Sequence, residues 1–444
     1  MKHFARLATI TLLCMLGLMD STWADSRPNV VVIISDDQGW GDYSFLEHPT
    51  IETPHLDRLA KESLTFTRGY SPVPLCRPSL STIITGCYPH QHGVTGNDPT
   101  IPGGIKAAAA RRDPKYARYF QSTIEGFTKR PNFVRTLTAS GYHSLQTGKW
   151  WEGDPVKAAG FSDAMTHGTD KGDRHGGEGL QIGRNGLKPI DDFLDTSSNR
   201  PFLLWYAPML PHTPHNPPPD LLAKYQKLTD SEPVARYWAN VEWFDRTCGE
   251  VLQHLDERGL RKNTIIVYVC DNGWIQDPTT ANRDAERSKR TPYEGGVRTP
   301  IMISWPGKIV PRMDTEHLAS TIDLWPTLAG LLGTSHPDDL QGINLTDDAA
   351  VKERSTIFGE QYNHDIASVD EPTRSLEHRW VIDGYWKLIV PDAHNLPNSM
   401  PELYDLQHDP REEKDLAKSD PERVERLNAK LNAWWQPSHQ TPER

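Results

Sequence analysis

The sequence predicts a layered α/β fold, a sheet with helices on both faces, followed by a smaller C-terminal α+β domain. Three observations carry that prediction. Asn29–Ser35 (NVVVIIS) and Thr264–Cys270 (TIIVYVC) are unbroken β-branched runs, the pattern of strands buried on both faces. Amphipathic helical spacing over 55–63, 131–140, 234–258 and 320–332 alternates with such runs, including two more candidates at 201–207 and 300–305. From about Asp347 the pattern changes to short alternating segments at 380–382, 386–390 and 402–406, closed by a helix over 421–435 with Asp420 as N-cap.

In chain order, the first element is an export leader. Lys2 and Arg6 precede an apolar run over 7–19, and Thr22-Trp23-Ala24 ends on a small residue. Residues 1–24 therefore read as a cleavable signal peptide, too short to anchor in a bilayer, which implies a periplasmic or secreted protein. Residues 25–346 read as the catalytic domain and 347–444 as the C-terminal subdomain. The stretches 97–131 and 152–191 are rich in Gly, charge and His and read as long surface loops.

Composition narrows the function. The 444 residues are 36% hydrophobic and 24% charged, which excludes global disorder. A net charge of −11 argues against a nucleic-acid partner, and no segment after the leader is apolar enough for a membrane span. Five cysteines are too few for a disulfide scaffold.

The two β-branched runs end on Asp36-Asp37 and Asp271-Asn272. In parallel sheets ligands bind at the carboxyl ends of strands, so both acidic pairs belong at one site. Oxygen ligands without local His or Cys suit a hard cation, Ca2+ or Mg2+. Pro78 fits the first turn of a helix, which places Cys76 at its N-terminus: either among free N–H groups that favour anions and lower a thiol's pKa, or as a buried free cysteine before the helix.

Cys76-Arg77-Pro78-Ser79, followed by Thr85-Gly86 and by Tyr88-Pro89 and His92-Gly93, resembles the signature of the formylglycine-dependent sulfatases, of alkaline-phosphatase-like fold. The resemblance runs on through Thr147 to Trp150, Pro211 to Pro214, Cys270 to Gly273, Lys289 to Pro300 and Glu402 to Ala417. It implies that a maturation enzyme converts Cys76 to formylglycine, whose hydrate is the nucleophile. It implies that Asp36, Asp37, Asp271 and Asn272, with the modified Cys76, hold calcium. It implies that Lys149, His212 and Lys289 contact the sulfate or the leaving oxygen, with His212 or Lys289 as general acid. The substrate would be a sulfate ester.

Three positions depart from the family's pattern: Leu80 replaces an arginine, Trp151 a histidine and Cys87 a basic residue. Arg77, His90, His92, His175 and Arg184 are available in their place, His92 and His175 as a base. Trp40, Trp150, Trp151 and Trp274 adjoin the motifs, and their flat faces suit stacking on sugar rings, with Arg111, Arg112, Lys115, Arg174 and Arg184 to meet further anionic groups. A sulfated carbohydrate is therefore the expected substrate. A phosphate or phosphonate ester hydrolase of the same fold, and a non-catalytic sulfatase-like binding protein, are the competing readings.

Overall fold

Strand β1 (Asn29–Ser35) lies inside a nine-stranded sheet in a computed structural model that describes residues 27–101, 110, 113–168, 175–197 and 200–439. The expected leader over 1–24, and Arg111, Arg112 and Arg174, fall outside the described residues. The other strands are β2 (Leu64–Tyr70), β3 (Asp98–Pro99), β4 (His143–Gly148), β5 (Asp163–Ala164), β6 (Phe202–Ala207), β7 (Thr264–Cys270), β8 (Arg298–Ser304), β9 (Arg312–Asp314), β10 (Ala319–Ser320), β11 (Thr356–Tyr362), β12 (Asp365–Ile366), β13 (Leu376–Asp383), β14 (Trp386–Pro391) and β15 (Glu402–Asp405). The large sheet runs β10-β2-β8-β7-β1-β6-β4-β5, with β9 also on β2. Its β7-β1-β6-β4-β5 part is parallel, and β8 is antiparallel to both of its neighbours.

The β-branched runs are buried on both faces, as their composition requires. Val30, Val32 and Ile34 pack with Ile83, Phe133, Leu137 and Leu328 on one side. Val31 and Ile33 pack with Leu56, Phe244, Val251 and Leu255 on the other. This is the period-two alternation of a strand sandwiched between helix layers. The parallel register pairs Ser35 with Cys270, so the two acidic pairs leave the sheet side by side.

The C-terminal sheet is antiparallel, in the order β11-β13-β14-β15. One face (Trp380, Ile382, Ile389, Tyr404) covers Tyr70, Val297 and Leu318 of the main body. The other (Val381, Leu388, Leu403) is closed by Leu427 and Leu431 of helix Pro421–Trp434, whose N-cap Asp420 accepts from the Arg423 N–H.

The sequence and the structure differ at 97–131. Instead of one long loop, Pro114–Thr128 is a helix, started by Asp113, whose side chain accepts from Lys115 N, with Pro114 in its first turn. Tyr116, Thr123, Ile124 and Phe127 form its buried face. The flanking Gly and charged residues mask that spacing. Strands β2 and β4 also lie outside the runs read from sequence, because Thr, Gly, Gln and His dilute their apolar content.

Candidate active site

Most of the chemical groups enter from the carboxyl edge of a parallel strand, whereas Cys76 comes on a helix after β2 and Lys289 on the segment between β7 and β8. Asp36 and Asp37 follow β1, and Asp271 and Asn272 follow β7, with Asp271 N–H donating to Ser35 O at 3.0 Å. Lys149 follows β4, its N–H held by Ala207 O at 2.9 Å. The segment after β6 runs alongside Asp36, whose N–H donates to Leu210 O at 3.0 Å, and so delivers His212. Asp37 adopts a left-handed φ of 62°, which turns the chain sharply between the two carboxylates.

Cys76 opens the helix Cys76–Thr85, packed between these strand ends. Its Sγ lies 3.5 Å from Lys149 Nζ and 3.9 Å from Asp36 Oδ1. Ser79, one turn on, donates to Asp271 O at 2.6 Å and so ties the helix to β7. Lys149 Nζ reaches both Asp36 oxygens, at 2.7 and 2.6 Å, and Lys289 Nζ sits 2.6 Å from Asp37 Oδ1. His212 Nε2 is 3.4 Å from Asp37 Oδ2, and its Nδ1 donates to Thr213 O at 2.6 Å.

Three buried carboxylates thus face two ammonium groups. Burial raises Asp36 well above the usual carboxylate range, and Lys149 only partly offsets it. Burial acts the same way on Asp37, but Lys289, helped by Lys149, pulls it below that range. Asp271 is raised by burial. Burial depresses His212 well below its usual value, so the ring is neutral here. Burial would lower Lys289, yet the adjoining Asp37 carboxylate holds it well above its usual value and keeps it charged.

The thiol corrects an expectation. A helix N-terminus lowers a thiol pKa in solvent, but Cys76 is fully buried, and desolvation pushes it up to about 12 against the pull of Lys149 and Lys289. As an unmodified thiol it is not a nucleophile at neutral pH.

The residues present fit a hard cation. Asp271 Oδ1 accepts from the N–H groups of Asp37 and Asn272, at 3.2 and 2.7 Å. Asp271 Oδ2 and Asn272 Oδ1 are buried without a hydrogen-bond partner. Buried polar atoms are almost always paired, so such atoms ask for a ligand. Asp36, Asp37, Cys76 and His212 place ligand-type atoms within 4.8 Å of one another, a group able to hold a metal ion.

Other expected contacts lie elsewhere. Trp150, Trp151 and Trp274 are 3%, 2% and 5% exposed, their faces covered by core packing, so they offer no stacking platform. Trp40 is half-buried with the Arg298 guanidinium 4.1 Å above its ring. Trp151 sits edge-on to His175, ring centres 5.2 Å apart, and 5.5 Å from Lys149 Nζ. Leu80 shares a narrow apolar crevice with Trp150, Trp151 and Phe127. The two main departures from the family pattern therefore meet in one hydrophobic contact region.

His92 is buried, with Nδ1 accepting from Val94 N–H at 3.1 Å and Nε2 3.1 Å from Thr82 Oγ1. Both ring nitrogens are used inside the fold, so it is neither a base nor a substrate contact here. Arg184 spends its guanidinium on the carbonyls of Met209 and His212, at 2.8 Å each, and on Asn216. It fastens the His212 loop rather than offering a free cation. Arg77 is also committed, to Glu152 and Thr123.

Sequence reading missed Glu152 and Asn97. Asn97 Oδ1 accepts from Arg77 N–H at 3.0 Å at the start of the cysteine helix. Neither residue carries a local signal, since a single Glu after Trp and an Asn after Gly read as surface positions.

A family model described as Sulfatase matches residues 28–334. The chain belongs to the sulfatase family. A second model, N-sulphoglucosamine sulphohydrolase, C-terminal, matches residues 287–436 of this sulfatase. It is 28% identical to human N-acetylgalactosamine-6-sulfatase over 367 residues, 74% of this chain and 66% of the human one. The aligned part therefore spans just under two thirds of that relative. It is 24% identical to N-acetylgalactosamine-6-O-sulfatase of Bacteroides thetaiotaomicron over 93% of this chain and 94% of that protein. Its fold matches the crystal structure of Ps i-CgsB in complex with k-i-k-neocarrahexaose, with a TM-score of 0.71, 22% identity and coverage of 94% and 96%.

Proposed function

We propose that this sulfatase hydrolyses the sulfate ester of a sulfated carbohydrate, an amino sugar sulfated at O6 being the first candidate from the named relatives. One observation carries the reading. Cys76 begins a buried helix at the strand ends, with two ammonium groups beside three carboxylates that include an unpartnered Asp271 oxygen.

Cys76 is the position that maturation would convert to formylglycine, and Asp36, Asp37, Asp271 and Asn272 would hold the calcium or magnesium. These groups, when bound, supply the nucleophile and the Lewis acid. The chain's own residues do the rest. Lys149 and Lys289 offset the negative charge of a sulfate and of the oxygens that gain charge as its ester bond breaks. Lys289 stays protonated beside Asp37, so it donates a hydrogen bond to the leaving oxygen and passes its proton only as that oxygen becomes an alkoxide, a stronger base than the amine. His212, neutral and oriented by Thr213 O, hydrogen-bonds rather than carries charge. Residues 25–346 would form the catalytic unit and 347–444 the subdomain that backs it, in a protein exported by the 1–24 leader and matured by a formylglycine-generating enzyme. Among the described residues no helix is long and apolar enough to cross a membrane.

The test has two readouts. Mass spectrometry of the Cys76 peptide from the native host should show the aldehyde or its hydrate. A panel of sulfate and phosphate esters should show preference for sulfated saccharides. An unmodified thiol in an active enzyme would refute the nucleophile, and faster turnover of phosphate monoesters or diesters would refute the substrate class.

A further inference from the structure

A cleft of about 740 Å3 opens beside the helix Pro114–Thr128, walled on the opposite side by the 367–374 segment and floored by His90 to Gly93. None of the residues gathered around Cys76 lines it. Its floor meets the far end of the cysteine helix, where His92 Nε2 touches Thr82. Thr82 is six residues, roughly 9 Å of helix rise, beyond Cys76.

The size lies within the roughly 300–1,000 Å3 typical of ligand pockets. The lining is mixed rather than greasy. The Tyr119 ring, half-buried and held by its OH on Ile366 O at 2.9 Å, offers a flat face. Ser122, Glu125 and Asp370 offer hydrogen-bonding groups for hydroxyls. Lys129 and Arg130 also line it, and among the described residues neither makes an ion pair with a carboxylate; Arg130 donates only to the Gln91 carbonyl. In a chain of net charge −11, two cations left unpaired beside a fixed aromatic face and several hydroxyl partners suit one ligand chemistry.

We propose that this cleft is an ancillary saccharide site, which binds an anionic sugar unit of the substrate at a distance from the sulfate being cleaved. The proposal rests on the sulfated-carbohydrate reading above and extends it to an oligosaccharide. Lys129 meets the sulfate or carboxylate of that unit, and Tyr119 packs against its ring.

The test is calorimetric binding to the full chain carrying Cys76→Ala. The probes are a sulfated tetrasaccharide containing N-acetylgalactosamine 6-sulfate, its desulfated form, and the monosaccharide sulfate. The tetrasaccharide should bind more tightly than either control. Lys129→Glu and Tyr119→Ala should each lower its affinity by about three- to tenfold, and added salt should shrink the Lys129→Glu effect. Lys129 is exposed, so its variant tests the site without risk to the fold. Equal tetrasaccharide affinity in both variants and the parent, or no tetrasaccharide binding at all, would overturn the cleft assignment. Binding needs no turnover, so a protein that hydrolyses no sulfate ester in the panel above would refute the enzymatic reading while this result still stands or falls by itself.

Discussion

Arg77 holds Glu152 at two points, Nε to Oε1 at 2.6 Å and Nη2 to Oε2 at 2.9 Å, with both side chains buried. The pair joins the first turn of the cysteine helix to the segment that carries Lys149 and Trp151. It bridges the two segments that carry Cys76 and Lys149 without touching either reactive atom.

Removing one partner should leave a buried, unpaired charge. Arg77→Met is expected to cost about 3–5 kcal/mol of stability, read by urea denaturation, whereas Arg77→Met with Glu152→Leu should recover much of that loss. A single variant as stable as the parent would show that the pair is solvated and does not fix the helix.

Divalent cation should stabilise the fold, because it would satisfy Asp271 Oδ2 and Asn272 Oδ1. Calcium at a hundred times its dissociation constant should add about 2.7 kcal/mol, seen as a raised melting temperature that a chelator reverses. Asp271→Asn removes one negative ligand and should shrink that shift. An unchanged calcium response in the variant would move the metal elsewhere.

His92 predicts the acid limb of the stability curve. Burial, then His90, Arg130 and Arg77, depress it from the usual 6.5 to about 3. The folded value lies below the unfolded one, so the fold favours the neutral ring. That contribution is complete above pH 6.5 and is lost as the pH falls toward 3, where the unfolded chain binds a proton that the native ring refuses. His92→Gln removes the titration and should flatten melting temperature against pH over that window. An unaltered slope would assign acid sensitivity to other groups.

Trp151 should act through packing. Its Nε1 is buried without a partner, so Trp151→Phe, which keeps most of the ring and deletes the donor, should stay within about 1 kcal/mol of the parent. Trp151→Ala should lose about 3–5 kcal/mol by opening a cavity beside Leu80 and Phe127. If the alanine variant melts like the parent yet fails to turn over saccharide, the ring touches substrate instead.

Much was legible in the residues themselves. The runs over Asn29–Ser35 and Thr264–Cys270 form strands with those bounds, since an unbroken β-branched stretch has few ways to bury both faces other than inside a parallel sheet. Their terminal acidic pairs mark the site because a parallel register brings like ends together. What only the tertiary structure decided is environment. Nothing local shows that Cys76 is sealed from water, which raises its thiol instead of lowering it. Nothing local shows that His92 and Arg184 spend their polar atoms inside the fold, or that Leu80 and Trp151 face one crevice. Where a strand or helix lies along the chain follows from near neighbours. Burial and partners depend on groups tens to hundreds of residues away, and those set the charge each side chain carries.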